Sequence, residues 1–364
     1  MTTGIRNARN VSRYLFGTGS LSNLPAILNV HRSSASHRVI IFIDHYFQTH
    51  TLSDDFNVIT PADQIIYVDT THEPTTSLMN SMRDRVLTES AELPCAIVGI
   101  GGGITMDVAK AVSNLLSNGG DAEDYQGWDL VRVPGIFKVA LPTISGTGAE
   151  STRTCVMTNT ASGLKLGMNS DFTVFDQIIL DPDLTRTVPR DQYFFTGMDA
   201  FIHCMESLNG SYRNAIGDAY SSQTMQLCRD VFFGDDMMSD ENRAKLMVAS
   251  YLGGCAIATS YVGVLHPFSA ALSVVLGLHH GVANCITMRA MEEFYPEGYS
   301  EFYRMAERQG VSIPEGVCRN LTDDQYERLY SATIIHEKPL TNALGEDFKD
   351  ILTPWKVREL FLRI

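Results

Sequence analysis

The stretch that most constrains this chain is Ile97-Val98-Gly99-Ile100-Gly101-Gly102-Gly103-Ile104-Thr105-Met106-Asp107-Val108-Ala109-Lys110, where an apolar run enters three consecutive glycines and continues into a helical pattern of spaced Val, Ala and Leu. Glycines at a strand-to-helix join let the backbone approach a ligand closely. The free N–H groups of the helix start favour an anion such as pyrophosphate. The same pattern also fits a tight turn that binds nothing, and it is not the G-x-G-x-x-G fingerprint.

The surroundings favour the dinucleotide reading. Val39 to Ile43, Gln64 to Val68, Cys95 to Ile100 and Phe137 to Leu141 read as buried strands, each followed by polar or glycine-rich turn material. Strands alternating with longer mixed segments predict a parallel sheet with helical crossovers, an α/β arrangement. Asp44 ends the first of these strands. A carboxylate there can accept hydrogen bonds from ribose hydroxyls and would repel a 2′-phosphate, which favours NAD over NADP, although a solvated strand-end Asp reads the same way. A second small-residue loop, Pro142-Thr143-Ile144-Ser145-Gly146-Thr147-Gly148-Ala149-Glu150, offers hydroxyls and backbone N–H groups; a plain surface loop is the other reading.

From about Tyr193 the β signal fades. Tyr193 to Leu208, Ala219 to Phe233, Glu241 to Tyr261, Phe268 to Leu276 and Tyr299 to Arg308 read as helices, so the second half is expected to be all-α. Two proline turns, Asp181-Pro182-Asp183-Leu184 and Val188-Pro189-Arg190, mark the junction. With 364 residues, more than a single core of about 250 to 300 residues holds, the chain is expected to divide into 1–185 and 186–364.

Charge narrows the choice of partner. A formal net charge of -14 with no compensating basic run argues against nucleic acid and anionic lipid. No apolar run approaches the ~20 residues of a membrane span, and Thr2 to Ser12 is polar, so neither insertion nor export is expected. Seven dispersed cysteines without a C-x-x-C pair suggest reduced thiols and a cytoplasmic location.

Asp199 and His203 stand one turn apart on one face of the helix Thr196 to Glu206, where a carboxylate and an imidazole can chelate one divalent ion. Alone, such a pair is more often a helix-surface hydrogen bond. His266, His279 and His280 bring three more imidazoles into a largely uncharged region, and imidazole with a single carboxylate suits Zn²⁺ or Fe²⁺. Spacing does not show that these residues converge.

The ordered set Gly17-Thr18-Gly19, Glu73-Pro74-Thr75, Gly101-Gly102-Gly103 with Asp107 and Lys110, Pro142 to Glu150, Lys165, Asp181-Pro182, Gly197-Met198-Asp199 and His280-Gly281 resembles the iron-containing (group III) alcohol dehydrogenases. Glycerol dehydrogenases and dehydroquinate synthases are wider relatives. The resemblance implies a dehydroquinate synthase-like architecture: an N-terminal dinucleotide-binding α/β domain, a C-terminal helical domain and a metal between them. It implies Asp199, His203, His266 and His280 as ligands, with His279 a neighbour. Gly101, Gly102, Gly103, Thr143, Ser145, Thr147 and Lys165 are implied as cofactor contacts.

One position departs from the pattern. Many alcohol-oxidising members carry a histidine one turn after the third ligand, where this chain has Ala270, so proton relay is expected through another group such as His279, a cofactor hydroxyl or water. Met168-Asn169-Ser170-Asp171, Phe175-Asp176-Gln177 and Leu276 to Gly281 are similar to the branch acting on sugar acids, including 3-deoxy-D-manno-octulosonate 8-oxidase. A sugar carboxylate would need a cation, for which Arg153 is the candidate, unless it only pairs with an acidic neighbour. The expected function is hydride transfer between an alcohol and NAD(P) in a homodimer or larger assembly. The alternative is a lyase or cyclase of the dehydroquinate synthase type that returns its NAD unchanged.

Overall fold

The alternating apolar runs build a sheet. A computed structural model describes residues 8–34, 36–52, 60–90 and 92–364. Its strands are β1 (Arg13–Phe16), β2 (Val39–Asp44), β3 (Gln64–Val68), β4 (Ala96–Gly101), β5 (Gly127–Trp128), β6 (Lys138–Pro142), β7 (Thr154–Asn159), β8 (Leu164–Asn169) and β9 (Gln177–Leu180). Six of these form one sheet in the order β1-β9-β6-β4-β2-β3, and every pairing in it is parallel. A parallel sheet is covered on both faces, and successive side chains point to opposite sides. Accordingly Ile40, Phe42, Ile97 and Ala140 join one core, while Val39, Ile41, Val98 and Leu141 join another.

Before the junction the helices are α1 (Leu24–Asn29), α2 (Thr76–Glu89) and α3 (Gly103–Asn118). After it come α4 (Arg190–Asn209), α5 (Ala215–Phe232), α6 (Asp240–Ser260), α7 (Leu265–Leu276), α8 (His280–Thr287), α9 (Pro296–Gln309), α10 (Asp323–Ile334), α11 (Glu337–Leu344), α12 (Phe348–Ile351) and α13 (Pro354–Leu362). All described strands precede Asp181, so the expected order of a parallel α/β half and an all-helical half is the one observed. A separate core fills the helical half, with Phe194, Phe201, Phe232, Phe268 and Phe302 inside it. Among the described residues no single helix is long and apolar enough to cross a membrane.

Strand order decides where a ligand fits. The chain runs from β2 to β3 on one side of β2 and returns through β4 on the other, so β2 and β4 flank a topological switch point. Crevices for ligands open at the carboxyl ends of strands at such points. Those ends are Asp44 and Gly101.

The hairpin β7–β8 was not read from the sequence. Its strands mix Thr, Asn, Lys, Gly and Met with only part of each face buried, so neither a continuous apolar run nor a clean alternation announces it. Within the structure it is fastened to α3. Lys110, fully buried, donates from Nζ to the Thr152 carbonyl (3.0 Å), the Thr152 hydroxyl (2.9 Å) and the Thr154 carbonyl (2.8 Å). Asp107 accepts from the Val156 backbone N–H at 3.0 Å.

Candidate metal and dinucleotide site

Four side chains from three helices converge. Asp199 and His203 project from α4, His266 from the first turn of α7, and His280 from the start of α8. One ligand atom from each lies within 4.8 Å of the others. Nε2 of His203 is 3.4 Å from Asp199 Oδ1, Nε2 of His266 is 3.3 Å from the same oxygen, and Nε2 of His280 is 3.3 Å from Oδ2. The turn that allows this is short: Gly277 closes α7 in the left-handed conformation (φ 69°), and only Leu278 and His279 separate it from His280.

The electrostatics of this cluster suit a cation. Asp199 is fully buried with an oxygen, Oδ2, that accepts no hydrogen bond. Burial pushes its carboxyl up, but the imidazoles of His203 and His280, with a hydrogen bond from His266, hold it well below the usual carboxylate range. Burial drives His203 down to about 3, so this ring is neutral. Burial lowers His266 as well, but the Glu206 and Asp199 carboxylates outweigh it and raise that ring to about 9; a buried carboxylate grouped with three imidazoles is a donor set that suits a divalent ion.

Two further side chains hold the rings in place. Glu206, one turn beyond His203 on the same buried helix, accepts from Nδ1 of His266 and from the Leu265 backbone N–H (2.6 Å), with the Tyr295 hydroxyl at 3.5 Å. With Nδ1–H committed to this carboxylate, Nε2 is the nitrogen that His266 would offer to a metal. Asn284 donates to Asp199 Oδ1 at 2.6 Å and lies 3.2 Å from His280 Nε2. Neither residue had been assigned a part from sequence. Their signals were the helical spacings His203–Glu206 and His280–Asn284, which are too common to count without the fold.

The same cavity, of about 1170 Å³, reaches the switch point. Asp44, Gly102, Gly103, Thr143, Thr147 and Lys165 line it together with His203, His266 and His280. Asp44 Oδ1 is used locally, accepting from the Tyr46 N–H and the Thr70 hydroxyl, each at 3.0 Å. Gly101 and Ser145 are buried behind the loops and are not among the lining residues, so the structure brings their neighbours, and not their own side of the loop, to the cavity. The second loop is clamped to the helical half: a Cβ at Gly146 (φ 149°) would stand 1.7 Å from the Thr196 carbonyl oxygen in α4.

Glu73 links the two sites. Its Oε2 accepts from Lys165 Nζ at 2.9 Å and its Oε1 from the His280 backbone N–H at 2.8 Å. Burial raises its carboxyl, but the Lys165 and His280 charges and these hydrogen bonds outweigh that and hold it down at about 2. The sequence reading recognised Glu73 only as part of a motif.

The remaining candidates are placed as follows. His279 caps α8, is exposed and lines the cavity, as does Ala270. Arg153 also lines it, but its guanidinium pairs with Asp129 and with Asp171 (3.3 Å). His336, absent from the sequence reading, lies on the same wall; burial, with the charges of Lys165 and His266, lowers it to about 4.

Comparison with known proteins agrees with this geometry. Residues 11–182 match the model of the iron-containing alcohol dehydrogenase family, and residues 194–326 match its C-terminal model. The chain is 34% identical over 222 residues to a sulfoacetaldehyde reductase of Bilophila wadsworthia, covering 60% of this chain and 56% of that protein. It is 33% identical over 224 residues to an NAD-dependent methanol dehydrogenase of Bacillus methanolicus, covering 60% and 58%. These matches thus span a little over half the length of each relative. The crystal structure of a 1,3-propanediol oxidoreductase superposes with a TM-score of 0.83 at 19% identity, covering 98% of this chain and 99% of that one, and shows the same dehydroquinate synthase-like fold. With both halves matched in order, the chain belongs to the iron-containing alcohol dehydrogenase family.

Proposed function

We propose that this protein is a metal-dependent oxidoreductase that moves hydride between an alcohol, or its aldehyde, and NAD(H), with Zn²⁺ or Fe²⁺ held by Asp199, His203, His266 and His280. The observation that carries this is the convergence of those four ligand atoms, three of them on residues lining a cavity that also reaches the glycine turn of β4 and α3. Bound there, the metal supplies Lewis acidity to the substrate oxygen while the dinucleotide carries the hydride.

The chain's own residues do the positioning. Asp199 provides one buried negative charge, and Glu206 and Asn284 fix the orientation of His266 and of the carboxylate. Backbone N–H groups of Gly102 and Gly103 at the α3 start, with the Thr143 and Thr147 hydroxyls, suit a pyrophosphate. Asp44 suits ribose hydroxyls and disfavours a 2′-phosphate, which points to NAD over NADP. His279, at the exposed edge of the cavity, takes the part of proton relay that Ala270 cannot. Strand β1, at the sheet edge with Tyr14 and Phe16 exposed, supports assembly as a homodimer or larger oligomer.

A narrower reading is a sugar-acid alcohol, such as the C8 hydroxyl of 3-deoxy-D-manno-octulosonate, recognised through Arg153. That guanidinium already shares its charge with two carboxylates, so an acid group needs a further cation.

The test uses protein loaded separately with Zn²⁺ and Fe²⁺ and a series of small alcohols, aldehydes and sugar acids. Net oxidation of NADH by an aldehyde is expected. Asp199→Asn should abolish both metal retention and turnover while NADH still binds. Full turnover in metal-stripped protein would refute the reading, and a product formed with NAD returned unchanged would favour the lyase alternative.

A further inference from the structure

Among the described residues, three lysine or arginine side chains line the cavity: Arg153, Lys165 and Lys338. The first two are matched, Arg153 by Asp129 and Asp171 and Lys165 by Glu73. Lys338 has no carboxylate partner among the described residues. Its ammonium lies instead over two aromatic rings, 3.7 Å from the centroid of Trp128 and 4.5 Å from that of Tyr261, which meet each other edge-on at 82°. Ring faces attract a cation electrostatically, yet they leave its three N–H donors without strong acceptors. The rings cover one side of the ammonium, and Lys338, half-buried, is part of the cavity lining.

The backbone around this box is unusual for non-glycine residues. Among the described residues only Asp129 (φ 56°) and Tyr261 (φ 60°) have positive φ outside glycine. One directly follows Trp128 and the other supplies the second ring. Tyr261 combines its φ with a ψ of 169°, a region that glycine alone adopts readily, and such outliers concentrate at ligand clamps. It also ends α6 where the chain bends by 106° into α7, the helix that carries His266.

Lys338 stands in the first turn of α11, where a positive charge opposes the helix dipole, so folding alone does not favour a lysine there. Helix α11 packs against α7. Two residues earlier, His336 lines the same cavity as His266 and Lys165. The unmatched cation thus comes from the helical half and lines the same cavity as His203, His266 and His280.

We propose that Lys338, held between Trp128 and Tyr261, is an anion subsite for the substrate, so that the class this protein takes is a short alcohol or aldehyde bearing a carboxylate or similar oxyanion. The inference rests on the oxidoreductase reading for the word substrate, but the anion site can be tested without turnover. Only two tryptophans are present, Trp128 and the exposed Trp355, so Trp355→Phe leaves Trp128 as the reporter. Titration of the Zn²⁺-loaded protein with propanoate at constant ionic strength should change Trp128 emission saturably. Lys338→Gln should lose that response and Lys338→Arg should keep it. In turnover, the ratio of kcat/KM for succinic semialdehyde to that for butanal should fall about tenfold or more in Lys338→Gln and recover in Lys338→Arg, the size expected for one charge-assisted hydrogen bond. An equal rise in KM for NADH with both aldehydes would instead place a cofactor phosphate at Lys338 and overturn the proposal. So would an emission response identical in Lys338→Gln, or an unchanged substrate ratio. Absence of turnover with either aldehyde, alongside a Lys338-dependent emission response, would refute the oxidoreductase reading and leave the anion site standing.

Discussion

Replacing Glu206 with Gln keeps shape and volume and changes one thing, the group facing Nδ1 of His266. In the native protein one carboxylate accepts from three donors: His266 Nδ1, the Leu265 N–H at 2.6 Å and the Tyr295 hydroxyl at 3.5 Å. A glutamine has a single acceptor oxygen. If that oxygen keeps the short bond from Leu265, its NH₂ faces His266 Nδ1 and forces the ring to place its proton on Nε2, where the ligand lone pair should be. If it keeps His266, the Leu265 N–H is left opposite an NH₂ in a fully buried site. Either outcome removes a charged acceptor behind a metal ligand, a change that costs roughly 10- to 100-fold in metal affinity. That range corresponds to about 1.4 to 2.7 kcal/mol. The assay is a competition of Zn²⁺ between protein and a chelator of known affinity at pH 7, run beside a check that the variant melts cooperatively. A Glu206→Gln protein that is folded and holds Zn²⁺ within twofold of the native affinity would refute the claim that this carboxylate sets the ligand tautomer.

Further outcomes are expected. Glu73→Gln leaves the buried Lys165 ammonium unpaired; since the native carboxyl sits at about 2 instead of 4.5, the difference is worth about 3 kcal/mol at neutral pH. Because the folded value is the lower one, that stability is complete above about pH 5 and is lost as pH falls toward 2. Urea midpoints of the two proteins should thus converge on acidification, and a gap independent of pH would exclude the ion pair as its source. Gly146→Ala puts a methyl 1.7 Å from the Thr196 carbonyl oxygen, so the second loop must leave α4; a loss of more than about 3 kcal/mol in thermal or urea unfolding is expected. Asp44→Asn should raise the KM for NADH and shrink the preference over NADPH, which steady-state kinetics with both cofactors will show.

Much of the fold was legible because its signals are local. The runs at Val39, Gln64, Ala96 and Lys138 are nearly continuous in Ile, Val and Leu, as strands buried on both faces must be, and the structure shifts their ends by at most one residue. Helices α4 to α7 and α9 followed from spaced apolar residues, although each extends beyond the stretch read, to caps such as Ser239 that periodicity does not weigh. The hairpin β7–β8 escaped because what holds it is distant: Lys110 and Asp107 on α3 satisfy its backbone and the loop before it.

By itself the sequence determined which chemistry was available: a glycine turn entering a helix, a carboxylate ending a strand, and one aspartate with three histidines of ligand type. It could not say which of these would meet. Asp199 and His203 are neighbours through helical period alone, but His266 and His280 reach them only because α6 bends into α7 and Gly277 closes α7 within three residues of His280. Glu73, Glu206, Asn284 and Lys338 gain their meaning in the same way. A side chain's charge and donor set travel with its residue type, whereas its partners are set by packing between elements far apart in the chain, and only the tertiary structure decides those distances.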